Sequence, residues 1–493
     1  MMMRILQVLL FPLQGSGSGS YADRLAEFEL ARGHAVKVLC CDHVVPQRSY
    51  ETAALVFAND PSLRGALLDR NVVAVESTTK HSSTPDEIAS HAALAMTQSD
   101  LDFNFPAFTT HPLSTATTFG SLSDAQREQY VTAFHRKIRE EVASFRPDIV
   151  HAHHGWVIGA ALAELGVPYV ISLHGTEHYG FLHYPAYREL ALKGLRQADR
   201  VLALTEVERA TAIETYALDP DRVSVITSGV DTSLFKPAAA EVRFNGLPPI
   251  SRRIHSAGNA AGNAAGNAAG NAAGNAAGNA AGNAAGNAAG NAAGNAAGNA
   301  ITPTAVHRPL VFAGSKLTAI KGTDVLLRAA AIYSKMPERP VTLIAGEGDE
   351  RARLEALRDD LNLRDDVIFL GHQTAAQMVE LYNAAEVTVL ASRTDWFPLV
   401  VIESLACGTP VIVSEVGGLS QLVTSNIGRL FSAGDYATLA AHVIDFIRSD
   451  FKATAQAVCV QQVREKFSWD RTVERILTVY QEALTKKDGM TER

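Results

Sequence analysis

The chain has 493 residues, of which 47% are hydrophobic and 19% charged, and it carries a formal net charge of -8. That length accommodates two large domains, each able to bury a full core, and the acidic balance argues against a general nucleic-acid binder. Four cysteines, with Cys40 and Cys41 adjacent, make no disulfide framework and fit a reducing cytoplasm.

From the N-terminus, Ile5 to Phe11 is an apolar run suited to a buried parallel strand. No small-residue cleavage site closes it as a signal peptide. Nothing reaches the ~18–20 apolar residues that span a bilayer, while peripheral membrane contact stays open. Gly15-Ser-Gly-Ser-Gly19 leads into a helical pattern through Tyr21, Leu25 and Phe28, and a second strand follows from Val36 to Leu39. A Gly-rich strand-to-helix loop lets backbone approach a ligand closely. The spacing is not a strict GxGxxG and no acid is well placed, so a dinucleotide site is rejected.

Residues 44–145 are less regular. Asp102 to Pro112 is dense in aromatics and turn formers, and reads either as one wall of an acceptor site or as a packed surface loop. A helix over 124–145 follows, with Tyr130, Phe134, Ile138 and Val142 on one face. Pro147 to His154 is a strand ending in His151, His153 and His154. Neighbouring strand residues face opposite ways, so His153 and His154 should diverge, and no cysteine or acid sits at zinc spacing. After a helix near 157–165, the strand Val167–Leu173 delivers His174-Gly-Thr-Glu177 at its carboxyl end, where ligands of open α/β sheets gather. His174 is therefore a better functional candidate than the earlier cluster, the alternative being a histidine that only bonds a backbone carbonyl. Further strand–helix junctions follow at 198–205 and 223–231, and Asp219-Pro-Asp221 reads as a turn.

The unit Ala-Gly-Asn-Ala then repeats without interruption over residues 257–300, 44 residues in eleven units. Poor helix formers without large apolar side chains cannot offset the entropy of ordering. A flexible spacer of this length spans about 35 Å and adds only about 1.5 kcal/mol of loop closure over a short linker. An ordered repeat or a partner-binding role is the alternative.

The second half restarts with strands at 309–316, 341–349, 366–371 and 386–392 separated by helices, the order of a parallel sheet with right-handed crossovers. Lys316 and Lys321 flank the turn after the first of these strands. Asp395-Trp-Phe-Pro-Leu-Val-Val-Ile-Glu403 reads as a loop and a helix opening near Pro398, followed by a turn at Gly408–Pro410 and the buried strand Val411–Val413. The amides of Leu399 and Val400 would point out of the helix start, which favours anions such as phosphate. Asp395 and Glu403, eight positions apart, supply acceptors for hydroxyl groups. An ordinary helix with an acid near its start fits the same residues. At the C-terminus, Ser468-Trp-Asp470 opens a helix with Val473, Ile476, Leu477, Tyr480 and Leu484 on one face.

These motifs together resemble family 4 glycosyltransferases, over nearly the whole chain except the repeat and residues 44–125. The segment Asp395–Glu403 resembles the family's acidic-x7-acidic signature, Ser315-Lys-Leu…Lys321-Gly its Gly-Arg-Leu…Lys-Gly pattern, and His174-Gly its His-Gly pair. Thr227-Ser-Gly-Val-Asp231 stands where the family has Pro-Asn-Gly-Val-Asp. Asp395 is one methylene shorter than the usual Glu, Pro398 replaces Gly and removes an N–H, and Lys316 replaces an Arg, keeping charge but losing its fork.

The resemblance implies two Rossmann-like domains facing across a cleft (GT-B). It places an acceptor-side domain at 1–236, a linker at 237–306 and a nucleotide-sugar domain at 307–469, with the helix 470–493 returning to the first domain. It implies a retaining transferase that moves a hexose-type sugar from a nucleotide-diphosphate sugar, UDP favoured, to a hydroxyl of a small-molecule, glycan or lipid acceptor, with no metal and no further cofactor. His174, Lys316, Lys321 and Asp395 would be catalytic. Ser315, Lys316, Lys321, Gly371, Phe397, Leu399, Val400 and Glu403 would bind the donor, and Gly17, Ser18, Gly19 and His174 would line the acceptor side. A GT-B phosphorylase, a nucleotide-sugar epimerase and a non-catalytic sugar-binding scaffold are the rival readings, and the oligomeric state stays open.

Overall fold

The computed structural model describes residues 2–13, 16–42, 45–56, 100–109, 117–238 and 308–491. The Ala-Gly-Asn-Ala repeat, most of the linker and part of the 44–125 region lie outside the described residues.

The first half alternates strands and helices. It opens with β1 (Arg4–Leu9), α1 (Gly17–Ala31), β2 (Ala35–Asp42), β3 (Glu51–Val56) and α2 (Asp124–Phe145). Then come β4 (Ile149–His153), α3 (Val157–Leu165), β5 (Tyr169–Ser172) and α4 (Thr176–His183). It closes with α5 (Arg188–Gln197), β6 (Arg200–Ala203), α6 (Glu206–Tyr216) and β7 (Val223–Val225). The strands form one parallel sheet in the order β3-β2-β1-β4-β5-β6-β7. Continuous apolar runs make these strands because helices cover both faces, so no residue of β4 or β5 reaches solvent. Helix α2 starts at a capping box in which Ser123 and Gln126 satisfy each other's amides. Its Tyr130, Phe134 and Ile138 are buried as their spacing predicts.

The second half repeats the plan with β8 (Leu310–Gly314), α7 (Thr323–Tyr333), β9 (Val341–Ala345), α8 (Arg351–Asp360) and β10 (Val367–Gly371). After α9 (Ala375–Ala384) come β11 (Val387–Leu390), α10 (Leu399–Ala406), β12 (Val411–Ser414), α11 (Leu419–Leu422) and β13 (Gly428–Phe431). Helices α12 (Tyr436–Arg448) and α13 (Phe451–Lys466) finish this half. Its sheet, β10-β9-β8-β11-β12-β13, is also parallel throughout. Both halves are Rossmann-like: the chain crosses from one wing to the other after the third strand of each sheet.

The chain then returns. The Val230 amide donates to the Phe467 carbonyl at 2.8 Å, and α14 (Trp469–Thr491) lies on the first domain. Trp469, Val473, Ile476 and Tyr480 share a buried cluster with Met3, Ile5, Tyr21, Leu25, Ile149 and Val170. The apolar stripe on α14 thus completes the core of the half farthest from it in sequence.

One helix contact leaves no space for side chains. Helices α3 and α5 meet at Gly159 and Gly194, where a Cβ on Gly194 would stand 2.6 Å from the Gly159 backbone. Gly194→Ala is expected to push the helices apart and destabilise the fold by about 1–3 kcal/mol, the usual cost of overpacking. Urea unfolding of the variant against the wild type measures this.

Candidate active site

In parallel sheets the carboxyl ends of the strands collect along one edge, and ligands bind there. In the second domain three of these ends are joined by backbone alone. The Ser315 amide, after β8, donates to the Ala345 carbonyl at 3.0 Å, and the Gly346 amide, after β9, donates to the carbonyl of Gly371, the last residue of β10, at 2.8 Å. A Cβ on Gly346 would lie 1.9 Å from the Ser315 carbonyl oxygen, and one on Gly371 would lie 2.9 Å from a Glu347 carboxylate oxygen. Lys316 is exposed on this rim. Partial desolvation lowers its ammonium pKa, with Asp349 opposing the shift.

Lys321 ends a single 3₁₀ turn, Ala319–Lys321, and Gly322 follows with φ 64°. A Cβ on Gly322 would meet the Ala391 carbonyl oxygen at 1.9 Å, so only glycine lets this turn press against the exit of β11. Arg393 fastens the same junction. Its amide donates to the Ile320 carbonyl at 2.7 Å, and its guanidinium bonds the Ala319 carbonyl and both Asp324 carboxylate oxygens. Lys321 Nζ is thereby held 2.7 Å from Asp395 Oδ2, and Ser392 Oγ donates to the same oxygen at 3.0 Å. Among the described residues, Asp395 Oδ1 has no protein donor.

Past Asp395 the chain enters α10. Pro398 is its N-cap and provides no side-chain cap, and the first backbone bond, Val401 to the Pro398 carbonyl, spans 3.2 Å. Among the described residues, the amides of Leu399 and Val400 meet no protein acceptor. The positive end of the helix is open. One turn further on, Glu403 accepts the Tyr382 hydroxyl through Oε2 at 2.8 Å, leaving Oε1 without a protein donor among the described residues. Burial raises the Glu403 carboxyl to about 7, against the downward pull of the Tyr382 bond. The Phe397 side chain turns into the core, 6.1 Å from the Phe467 ring, so only its backbone borders the loop.

Across the cleft, Gly17, Ser18 and Gly19 are the first turn of α1 and not the loop before it. Ser16 caps this turn by accepting the Gly19 amide at 3.0 Å. Gly17 faces open space, whereas a Cβ on Gly19 would strike the Pro12 carbonyl oxygen at 2.2 Å. His174 follows β5. Its amide donates to Glu177 Oε1 at 2.8 Å, and its ring Nε2 lies 3.1 Å from His153 Nδ1. Glu177 is fully buried. Burial raises its pKa, but His154, His178 and His174 together outweigh this and hold the carboxyl at about 2.

His153 and His154 diverge as expected: His153 meets Gln7 and Tyr21 on one face of the sheet, whereas His154 packs against Phe11 and Phe108 on the other. Their rings lie 5.4 and 4.8 Å from the ring of His174, one on each side. His154 has already left the strand, with φ 74°. Among the described residues, no group of three or more His, Cys, Asp or Glu could hold a metal ion.

The two loops touch. A Cβ on Gly175 would stand 2.1 Å from Trp396 Cδ1, and the Trp396 ring lies 4.8 Å from that of His178. Sequence reasoning passed over Trp396, Ser392, Tyr382 and Glu177. It also passed over Gln7 and Glu29, although both gave a signal: Gln7 is the polar residue inside an apolar strand, and Glu29 continues the Tyr21–Leu25 stripe of α1.

Two Rossmann-like domains meeting along the carboxyl edges of their sheets make the GT-B architecture. Over its length the chain is similar in fold to sucrose-phosphate synthase from Thermosynechococcus elongatus, with TM-score 0.63, 19% identity and coverage of 98% of this chain and 100% of that one. It is also similar to Anabaena HepE in complex with UDP, with TM-score 0.60, 16% identity and coverage of 97% and 100%. The family models for "Glycosyl transferases group 1" and "Glycosyltransferase Family 4" match residues 301–466 and 110–234. A D-inositol 3-phosphate glycosyltransferase of Thermomonospora curvata is 31% identical over 68% of this chain and 71% of its own length. One from Thermobispora bispora is 28% identical over 76% and 80%. The chain belongs to the family 4 glycosyltransferases and is an enzyme of that class.

Gly322→Ala is expected to unseat the Lys321 turn and cost about 1–3 kcal/mol, since the residue needs both a positive φ and a missing Cβ. Chemical denaturation of the variant would show it, and an unchanged midpoint would contradict the docking described.

Proposed function

We propose that this enzyme moves a hexose-type sugar from a UDP-sugar to a hydroxyl acceptor with retention of anomeric configuration. The observation that carries this reading is that Lys321 is fixed by Asp395 on the very loop that ends in an open helix start. The diphosphate would lie over the amides of Leu399 and Val400, flanked by Lys316 and Lys321. Ser315 and Gly371 would border the nucleotide. Asp395 Oδ1 would take a hydroxyl of the donor sugar, and Glu403 Oε1 a ribose hydroxyl. Gly17 to Gly19 and His174 would face the acceptor.

As the bond from the anomeric carbon to the diphosphate oxygen breaks, negative charge grows on that oxygen, where the lysines and amides stabilise it. The acceptor oxygen attacks the same face and its proton passes to the departing diphosphate. This assigns the charge stabilisation to protein groups, with no metal. The UDP complex of HepE supports UDP as the nucleotide to test first. The names of the relatives support a phosphorylated polyol such as inositol 3-phosphate as the first acceptor.

A thermal-shift comparison of UDP-, GDP- and ADP-sugars should single out UDP, and UDP release should then depend on acceptor. Absence of release with every donor and acceptor pair would count against transfer. Lys321→Ala should lower turnover by ~10²–10³, the usual loss for one electrostatic donor to the transition state, with the melting temperature little changed. Glu403 accepts ribose hydroxyls best when ionised, so UDP affinity should rise with pH through about 7. Tyr382→Phe removes a bond that lowers the Glu403 pKa and should shift this rise to higher pH. Calorimetric titration between pH 6 and 9 would read both.

A further inference from the structure

Behind His174 runs a buried chain of hydrogen bonds that neither the charge stabilisation nor substrate binding uses. His153 Nε2 lies 2.8 Å from Gln7 Oε1. Gln7 Nε2 lies 2.9 and 2.8 Å from the two Glu29 carboxylate oxygens. The Tyr480 hydroxyl, reaching in from α14, donates to Glu29 Oε1 at 2.9 Å and lies 2.6 Å from His151 Nδ1. His151 Nε2 meets Ser172 Oγ at 2.7 Å. Gln7, Glu29, His151 and His153 are completely buried.

The order of donors along this chain can be worked out from chemistry. Gln7 turns its NH2 group to the two Glu29 oxygens and its Oε1 to His153. Burial raises the Glu29 carboxyl to about 8, and when it carries a proton the Tyr480 hydroxyl can accept it, which leaves this order unchanged. A carbonyl oxygen only accepts, so His153 Nε2 carries a hydrogen. Burial, reinforced by the neighbouring histidines, holds the His153 ring neutral, so its Nδ1 is bare. The partner 3.1 Å away, His174 Nε2, must then be the donor. Desolvation keeps His174 neutral as well.

We propose that Gln7 and Glu29, with Tyr480 bracing Glu29 from the C-terminal helix, are positioning residues that fix His174 as the Nε2–H tautomer and leave its Nδ1 a pure hydrogen-bond acceptor in the cleft. Such a nitrogen takes a hydroxyl group and disfavours phosphate or carbonyl oxygen. The site beside His174 is therefore one for a sugar or polyol hydroxyl. The link to turnover rests on the transferase reading above. The tautomer itself does not.

The test is ¹⁵N NMR of the full chain with labelled histidine at neutral pH, the His174 signals being identified by their loss in His174→Gln. The expected spectrum has a protonated Nε2 and a bare Nδ1 on His174. A protonated Nδ1 in the wild type would overturn the inference without any variant. Gln7→Met removes the amide that orders the chain. It should give a mixture of His174 tautomers and lower kcat about tenfold, the scale of one lost hydrogen bond to the reacting complex. Glu29→Gln keeps an oxygen for Gln7 and a donor for Tyr480, and should retain both the tautomer and activity. A Gln7→Met protein with the wild-type tautomer and wild-type kcat would also overturn the proposal. The expected tautomer in a protein that releases no UDP with any donor would instead count against the transferase reading alone.

Discussion

The ion pair between Lys321 and Asp395 is the contact on which the second domain's site depends. It joins the loop after β8 to the loop after β11, two neighbouring strands whose carboxyl ends already lie side by side. A half-buried pair like this contributes little to stability once desolvation is counted. Its value is geometric. Gly322 against Ala391 and Arg393 against Asp324 settle the turn first, and the lysine is then held where Ser392 and Asp395 can receive it. One acid thus orients a cation with one oxygen and keeps the other for a ligand.

The first domain is organised around a different economy. Glu29, Gln7, His151 and His153 are fully buried in its core, an arrangement that is costly unless every polar atom finds a partner. Each of them does, and the last partner, Tyr480, comes from a helix more than 200 residues away in sequence. The C-terminal helix therefore does two things: its apolar stripe closes the core, and its Tyr480 hydroxyl completes the polar chain that ends at the cleft. The direct contact of Trp396 with Gly175 and His178 makes the donor loop and the His174 loop neighbours. What changes one loop's position is felt at the other.

Much of this was legible in the residues. Apolar runs of strand length separated by helical periodicity give two parallel α/β units, because only strands covered on both faces can be apolar throughout. Proline followed by Leu399 and Val400 marks a helix start with open amides, since proline suits that position and contributes no donor of its own. The apolar stripe of α14 was also plain from its spacing. The histidines were legible in part: alternation along the strand separates His153 from His154, but it does not say that both rings come within 5.4 Å of that of His174, which depends on the path after β5. The buried position of the Phe397 ring was not legible, because it depends on Phe467 and the path of α13.

The sequence by itself determined the elements, the repeat of the α/β plan and the class of anion-binding helix start, because these follow from periodicity and from backbone groups that every helix leaves open. Only the tertiary structure decided which acid holds Lys321, which oxygen of Asp395 and of Glu403 remains for a ligand, and that Gln7, Glu29 and Tyr480 stand in line behind His174. Those relations join residues up to 473 positions apart, and hydrogen-bond direction is fixed by what lies within 3 Å in space, which spacing along a chain does not encode.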